Sequence, residues 1–131
     1  FFKRDEVVKD RIQEVAETAY LDEGLHTEAG SLSHGQKQWL EIGMLLIQDP
    51  ALLMLDEPVA GMSKSERLKT GDLLRKIAQG RSVIVIEHDM DFVKDIAHWV
   101  TVMHQGKVLS EGTMDVVQKD PKVVEVYLGH S

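Results

Sequence analysis

A chain of 131 residues, 43% hydrophobic and 28% charged, suits a single domain that buries roughly two-thirds of its unfolded surface, and its composition excludes a disordered polymer. The formal net charge of −7 gives no electrostatic footprint for DNA or for anionic lipid, so any membrane role falls to a protein partner. The absence of cysteine excludes disulfide and thiolate chemistry, and the longest apolar run, Ile42 to Ile47, is far too short to cross a bilayer.

In chain order, Val8, Ile12, Val15 and Ala19 recur at helical spacing and predict an amphipathic helix from Asp5 to Tyr20. The polar stretch Asp22 to Ser31 reads as a loop. A second helix is expected from about Gly35 to Gln48, stopped by Asp49-Pro50. Its second half, rich in Ile42, Met44, Leu45, Leu46 and Ile47, is expected to be buried all round. Ala51 to Leu55 is a continuous apolar run closed by Asp56-Glu57-Pro58, the pattern of a strand covered on both faces. After Val59-Ala60-Gly61-Met62, the box Ser63-Lys64-Ser65-Glu66 starts a helix that runs to Gly80, and Ser82 to Ile86 is a second buried-type strand. Asp89 to Ala97 reads as a short helix. Val100 to Met103 and Lys107 to Glu111 flank His104-Gln105-Gly106 as a hairpin, and a last helix opens at Asp120-Pro121 and closes at Gly129. No internal repeat or low-complexity tract interrupts this order.

Two places carry chemistry. In Leu32-Ser33-His34-Gly35-Gln36, Ser33 with Gln36 forms a capping box, worth about 1 kcal/mol to its helix. The same helix start presents amides and the positive end of the dipole, and Gly35 admits close backbone approach, so an anion site is the competing reading. The second place follows from strand, helix, strand: two strands joined by one right-handed crossover share one carboxyl rim, where open α/β sheets bind ligands. Asp56 and Glu57 end the first strand and Glu87 and His88 the second. There a carboxylate can hold hydrated Mg²⁺, a neighbouring carboxylate can orient an attacking water, and an imidazole can donate to a phosphoryl oxygen. The structural alternatives are a polar strand end before a Pro turn and a histidine preceding a helix cap.

Leu32-Ser33-His34-Gly35-Gln36, Leu52-Leu53-Met54-Leu55-Asp56-Glu57-Pro58 and Ile86-Glu87-His88-Asp89 resemble, in order, the signature motif, the Walker B motif with its catalytic acid, and the switch histidine of ABC ATPases. Ala60-Gly61-Met62-Ser63 resembles the D-loop, and Val126-Tyr127-Leu128-Gly129 resembles the tail of the branched-chain amino acid transporter branch. Within that branch, Ser33 to Glu41 with Pro58 to Met62 is most similar to urea-uptake ATPase subunits.

The resemblance implies an α/β fold, part of a P-loop NTPase. Residues 1–49 would be a portion of the helical signature subdomain. Residues 50–131 would be the C-terminal part of the RecA-like catalytic core, with the Walker B and switch-histidine strands of the parallel sheet, a hairpin and a final helix. It implies ATP and Mg²⁺ as cofactors, with Asp56 coordinating Mg²⁺ through water, Glu57 polarising the attacking water and His88 contacting the γ-phosphate. Ser33, His34, Gly35, Gln36, Gly61 and Ser63 would complete the nucleotide site of a second, head-to-tail subunit. His34 replaces the commoner glycine, with its side chain expected to face away from nucleotide, and Ser63 stands where Asp or Asn is common. The implied setting is an importer ATPase for urea or branched-chain amino acids, peripheral on the cytoplasmic face of a bacterial plasma membrane through permease subunits. The alternative is a non-catalytic module that docks on an intact ATPase subunit. A phosphate cradle G-x-x-x-x-G-K-[ST] does not occur; Gly30 to Gly35 has the glycine spacing but continues Gln36-Lys37 and follows a polar loop. The first residues contain no initiator Met, so a longer parent protein is expected, and the chain alone is expected to bind ATP poorly, hydrolyse none and self-associate.

Overall fold

A computed structural model describes residues 6–128. Its elements are α1 (Glu6–Thr18), α2 (His34–Leu46), β1 (Leu52–Asp56), α3 (Lys64–Ile77), β2 (Ser82–Ile86), α4 (Met90–Ile96), β3 (Val100–His104), β4 (Lys107–Gly112), α5 (Met114–Lys119) and the single turn α6 (Pro121–Val123), which runs into a π-helical turn, Val124–Leu128. Two short 3₁₀ turns, Asp22–Gly24 and Ala29–Ser31, lie between α1 and α2. The chain forms two compact units, Phe1–His88 and Asp89–Ser131.

In the first unit, β1 and β2 pair in parallel with Leu52 opposite Ser82 and Asp56 opposite Ile86, so the expected strand, helix, strand unit is present and both carboxyl ends meet at one rim. The core is drawn from one stripe of each helix and one sheet face. Trp39, Ile42, Gly43 and Leu46 make the buried stripe of α2, Leu73, Leu74 and Ile77 that of α3, and Val15 and Ala16 that of α1. Trp39 Nε1 donates to the buried Thr70 Oγ1 at 2.9 Å, and Tyr20 meets the Trp39 ring edge-on at 5.2 Å.

Two expectations of burial are corrected. The second half of α2 is not buried all round: Met44 is 60% exposed, Leu45 40% and Ile47 39%. The strands are not covered on both faces either. Leu53 and Leu55 are buried, whereas Leu52, Met54, Ile84 and Ile86, which the register places on the opposite face, are exposed. An all-apolar run records that both faces avoid water, but burial also needs a covering element, and among the described residues none shields that face. Helix ends move inward for a local reason. Tyr20 and Asp49 adopt φ of 61° and 48°, left-handed values that stop α1 and α2 before them.

In the second unit, Asp89 caps α4 by accepting from the Phe92 amide. The β3–β4 hairpin turns at Gln105 and Gly106, both at positive φ (49° and 75°), as a two-residue hairpin of primed turn type requires. A register shift between Val102 and Met103 marks a bulge. Helix α5 was not expected from sequence: Thr113 caps it and Val117 is fully buried. The expected last helix is a single α turn and a π turn; its proposed start at Asp120-Pro121 is observed, and its proposed end, Gly129, lies outside the described residues, as does Asp5.

Candidate functional site

At the shared rim the residues following each strand come together. Glu57 takes φ of +48°, a left-handed conformation that costs a non-glycine residue roughly 1–2 kcal/mol, and its amide is held by the Ile86 carbonyl at 2.8 Å. His88 Nδ1 lies 2.9 Å from Glu57 Oε1 and 3.6 Å from Glu87 Oε1. The Glu87 side chain is only 2% exposed and accepts from the His88 amide at 3.1 Å, so a buried carboxylate backs the imidazole. Glu57 and His88 themselves are open to solvent, at 51% and 79%. A carboxylate oxygen only accepts, so in this contact Nδ1 carries the ring proton and Nε2 is left to address a ligand. Asp56, exposed at the end of β1, completes the rim.

Among the described residues no group of three or more His, Cys, Asp or Glu side chains could hold a metal ion. A hydrated Mg²⁺ typically takes one or two carboxylates and fills its other positions with water and phosphate oxygens. Asp56 presents one exposed carboxylate at the end of β1.

A second cluster forms around two helix starts. Ser33 caps α2: its Oγ accepts from the Gln36 amide at 3.2 Å and the Gln36 side chain accepts from the Ser33 amide at 3.0 Å. Ser63 caps α3 in the same way, with Glu66 returning to the Ser63 amide at 2.8 Å. Both boxes read from sequence are therefore present. The first two amides of α2, those of His34 and Gly35, lie outside the helix's own ladder and are the donors an anion would meet. The two starts touch. A Cβ on the buried Gly35 would stand 2.6 Å from Glu66 Oε1, and His34 Nε2 lies 2.8 Å from the Ala60 carbonyl oxygen, with its ring against Gly61. The close neighbour that Gly35 admits here is thus the side chain of Glu66.

Ser33, His34, Gly35, Gln36, Gly61 and Ser63 belong to this cluster, and Asp56, Glu57 and His88 to the rim. The backbone from Glu57 to Met62 runs from one to the other. Sequence reading did not anticipate the second contact of Glu66, the use of the Ala60 carbonyl, or the backing of His88 by Glu87. The Ser63-Glu66 box was visible, but a side chain that serves both its own helix and a neighbouring glycine leaves no periodic signal.

Comparison with known proteins matches residues 3–60 to the ABC transporter family and residues 107–131 to the family described as branched-chain amino acid ATP-binding cassette transporter. The high-affinity branched-chain amino acid transport ATP-binding protein BraF of Pseudomonas aeruginosa is 39% identical over 120 residues, covering 88% of this chain and 46% of that protein. A probable branched-chain amino acid transport ATP-binding protein, LivG, of Archaeoglobus fulgidus is 34% identical over 132 residues, covering 98% and 51%. Among solved structures, the ADP conformation of an ATP-binding cassette of an ABC transporter superposes with a TM-score of 0.85 at 30% identity, covering 99% of this chain and 53% of the other. The chain spans about half the length of the curated relatives it matches. The chain is accordingly homologous to ABC transporter ATP-binding domains, and over most of its length to the ATP-binding proteins of branched-chain amino acid transporters.

Proposed function

We infer that this chain supplies, within a complete subunit, the hydrolytic rim and the partner-facing phosphate cap of a transport ATPase that drives solute import. The observation that carries the reading is the 2.9 Å contact between His88 and Glu57 at the common carboxyl end of two parallel strands. Mg-ATP, when bound, supplies the anhydride and the metal charge. Asp56 would hold the metal through its water shell. The Glu57 carboxylate accepts a hydrogen bond from the attacking water and aligns it, an effect worth about 10²- to 10⁴-fold in rate. His88, with Nδ1 fixed on Glu57, would donate from Nε2 to the γ-phosphate when the ring carries both protons. Ser33, Gly35 and Gln36 present the start of α2 to the γ-phosphate held by a second subunit in a head-to-tail pair, while Gly61 and Ser63 shape the facing loop.

The printed function of the relatives, branched-chain amino acid transport, favours that solute class; the urea alternative rests on Ser33 to Glu41 and Pro58 to Met62 alone. No helix among the described residues is long and apolar enough to cross a membrane; permease subunits would hold the complete subunit at the cytoplasmic membrane face. By itself the chain binds ATP poorly and hydrolyses none, since no phosphate-cradle sequence is present.

In the complete subunit, Glu57→Gln keeps the shape and removes the charge. ATP turnover should fall by at least about 100-fold while nucleotide affinity stays within about threefold. Turnover near that of the unmodified subunit removes Glu57 from this role.

A further inference from the structure

The loop Pro58-Val59-Ala60-Gly61-Met62 follows Glu57 directly and contains no polar side chain. Its internal bonds are two turn contacts, the Ala60 amide to the Glu57 carbonyl at 3.2 Å and the Met62 amide to the Val59 carbonyl at 3.1 Å. Firm placement must therefore come from outside the loop. One anchor is at its far end, where Met62 Sδ lies 3.2 Å from the Thr70 hydroxyl, which also accepts from Trp39 of α2. The other is His34. Its Nε2 is 2.8 Å from the Ala60 carbonyl oxygen, and because a carbonyl only accepts, Nε2 must be the protonated nitrogen. Gly61 makes room for this: its φ of +72° is left-handed, and a Cβ there would stand 3.2 Å from Nε2. His34 is also the first residue of α2, immediately after the Ser33 cap.

We propose that His34 is a positioning residue: its Nε2–H, bonded to the Ala60 carbonyl, ties the Ser33 phosphate cap to the loop that issues from Glu57. The ring is thereby turned away from any ligand at the cap and spent on the loop of its own chain. The inference rests on the ATPase reading for what is positioned, whereas the tether itself needs no nucleotide. A glycine, the commoner residue at this place in the resembled signature, has no donor for Ala60. Both protonation states of imidazole that carry Nε2–H can make the bond, so neutral and charged rings serve alike.

The test begins with the unaltered chain. Nitrogen-15 NMR above the histidine titration should show His34 as the Nε2–H tautomer; an Nδ1–H tautomer overturns the tether. Amide hydrogen exchange in His34→Leu should then accelerate about tenfold or more at Ala60 and Met62, while the Gln36 and Glu66 amides, which report the two caps, stay within about threefold. His34→Gln retains a side-chain donor and should return Ala60 and Met62 to within about threefold of the unaltered chain. Unchanged exchange in His34→Leu, or a Gln variant as fast as Leu, overturns the proposal. If the Leu variant does not fold, the tautomer and the Gln variant still decide it. In the complete subunit, His34→Leu should lower kcat about tenfold with KM for ATP nearly unchanged, and Gln should restore kcat. An intact exchange result with unchanged kcat overturns the positioning role, and the Glu57→Gln outcome separately judges the ATPase reading.

Discussion

The side chain of Glu66 accounts for a glycine at position 35. The position a Cβ would occupy is 2.6 Å from Glu66 Oε1 and 2.8 Å from its carboxyl carbon, distances that real Cβ contacts do not reach. In Gly35→Ala the Glu66 side chain has to leave, and with it goes the bond to the Ser63 amide at 2.8 Å. Loss of half a capping box, with a helix-favouring Ala gained on α2, should destabilise the chain by about 1 kcal/mol net. Urea unfolding reads this, and Glu66→Ala should make the Gly35→Ala substitution nearly neutral, because the two act through one contact. Equal costs in both backgrounds would show that Gly35 serves something other than Glu66. The candidate site was legible where one residue type carries one demand: the acidic pair after β1, the histidine after β2 and both caps were read from spacing alone. What escaped were residues with two demands, Glu57 with its left-handed backbone and Gly61 with its positive φ against the His34 ring, since neither a φ value nor a neighbour far along the chain is written in local sequence.

At the scale of elements, the β3–β4 hairpin carries a proton-linked contact. Glu111 accepts from the Thr101 hydroxyl at 2.8 Å and from the Trp99 indole at 3.2 Å, and these two bonds, Thr101 first, hold its carboxyl below the usual glutamate range. A depressed carboxyl contributes stability above its unfolded value and loses it as pH falls through its folded value, so the contact should survive mild acid and release on the far acid side. The Trp99 indole proton resonance should therefore shift at a midpoint below that of an ordinary glutamate. Thr101→Val should move this midpoint upward; a midpoint unaffected by Thr101→Val would show that the hydroxyl is not the main cause. Fold elements were readable to the same extent as the site. Parallel β1 and β2, the crossover α3 and the hairpin follow from run length, caps and turn residues. Helix α5 is not legible in sequence because its six residues give too short a period, and its Thr113 cap directly follows the hairpin.

For the whole molecule, the decisive surface is the open face of the two-stranded sheet. Leu52, Met54, Ile84 and Ile86 are 48%, 61%, 46% and 55% exposed and adjacent in register. Fully burying one such side chain is worth about 1.5–3 kcal/mol, so covering four of them, already half-buried, yields a few kcal/mol before association entropy is subtracted. The outer edges of both strands add unpaired amides and carbonyls among the described residues, which a second chain can satisfy by strand addition. Opposing this, a net charge of −7 repels like copies, an effect that salt screens. Self-association should therefore strengthen with added salt, the opposite of an ion-paired interface. Sedimentation of the chain at micromolar concentration should show dimers or larger species whose share grows with salt. Ile84→Glu, placed at the centre of the open face beside Met54, should return the chain to monomer without disturbing the buried Leu53 and Leu55 on the other face. A monomer at all salt concentrations would mean that this face is stable in water, and that exposed apolar area of this size is no guide to how the chain meets its covering partner.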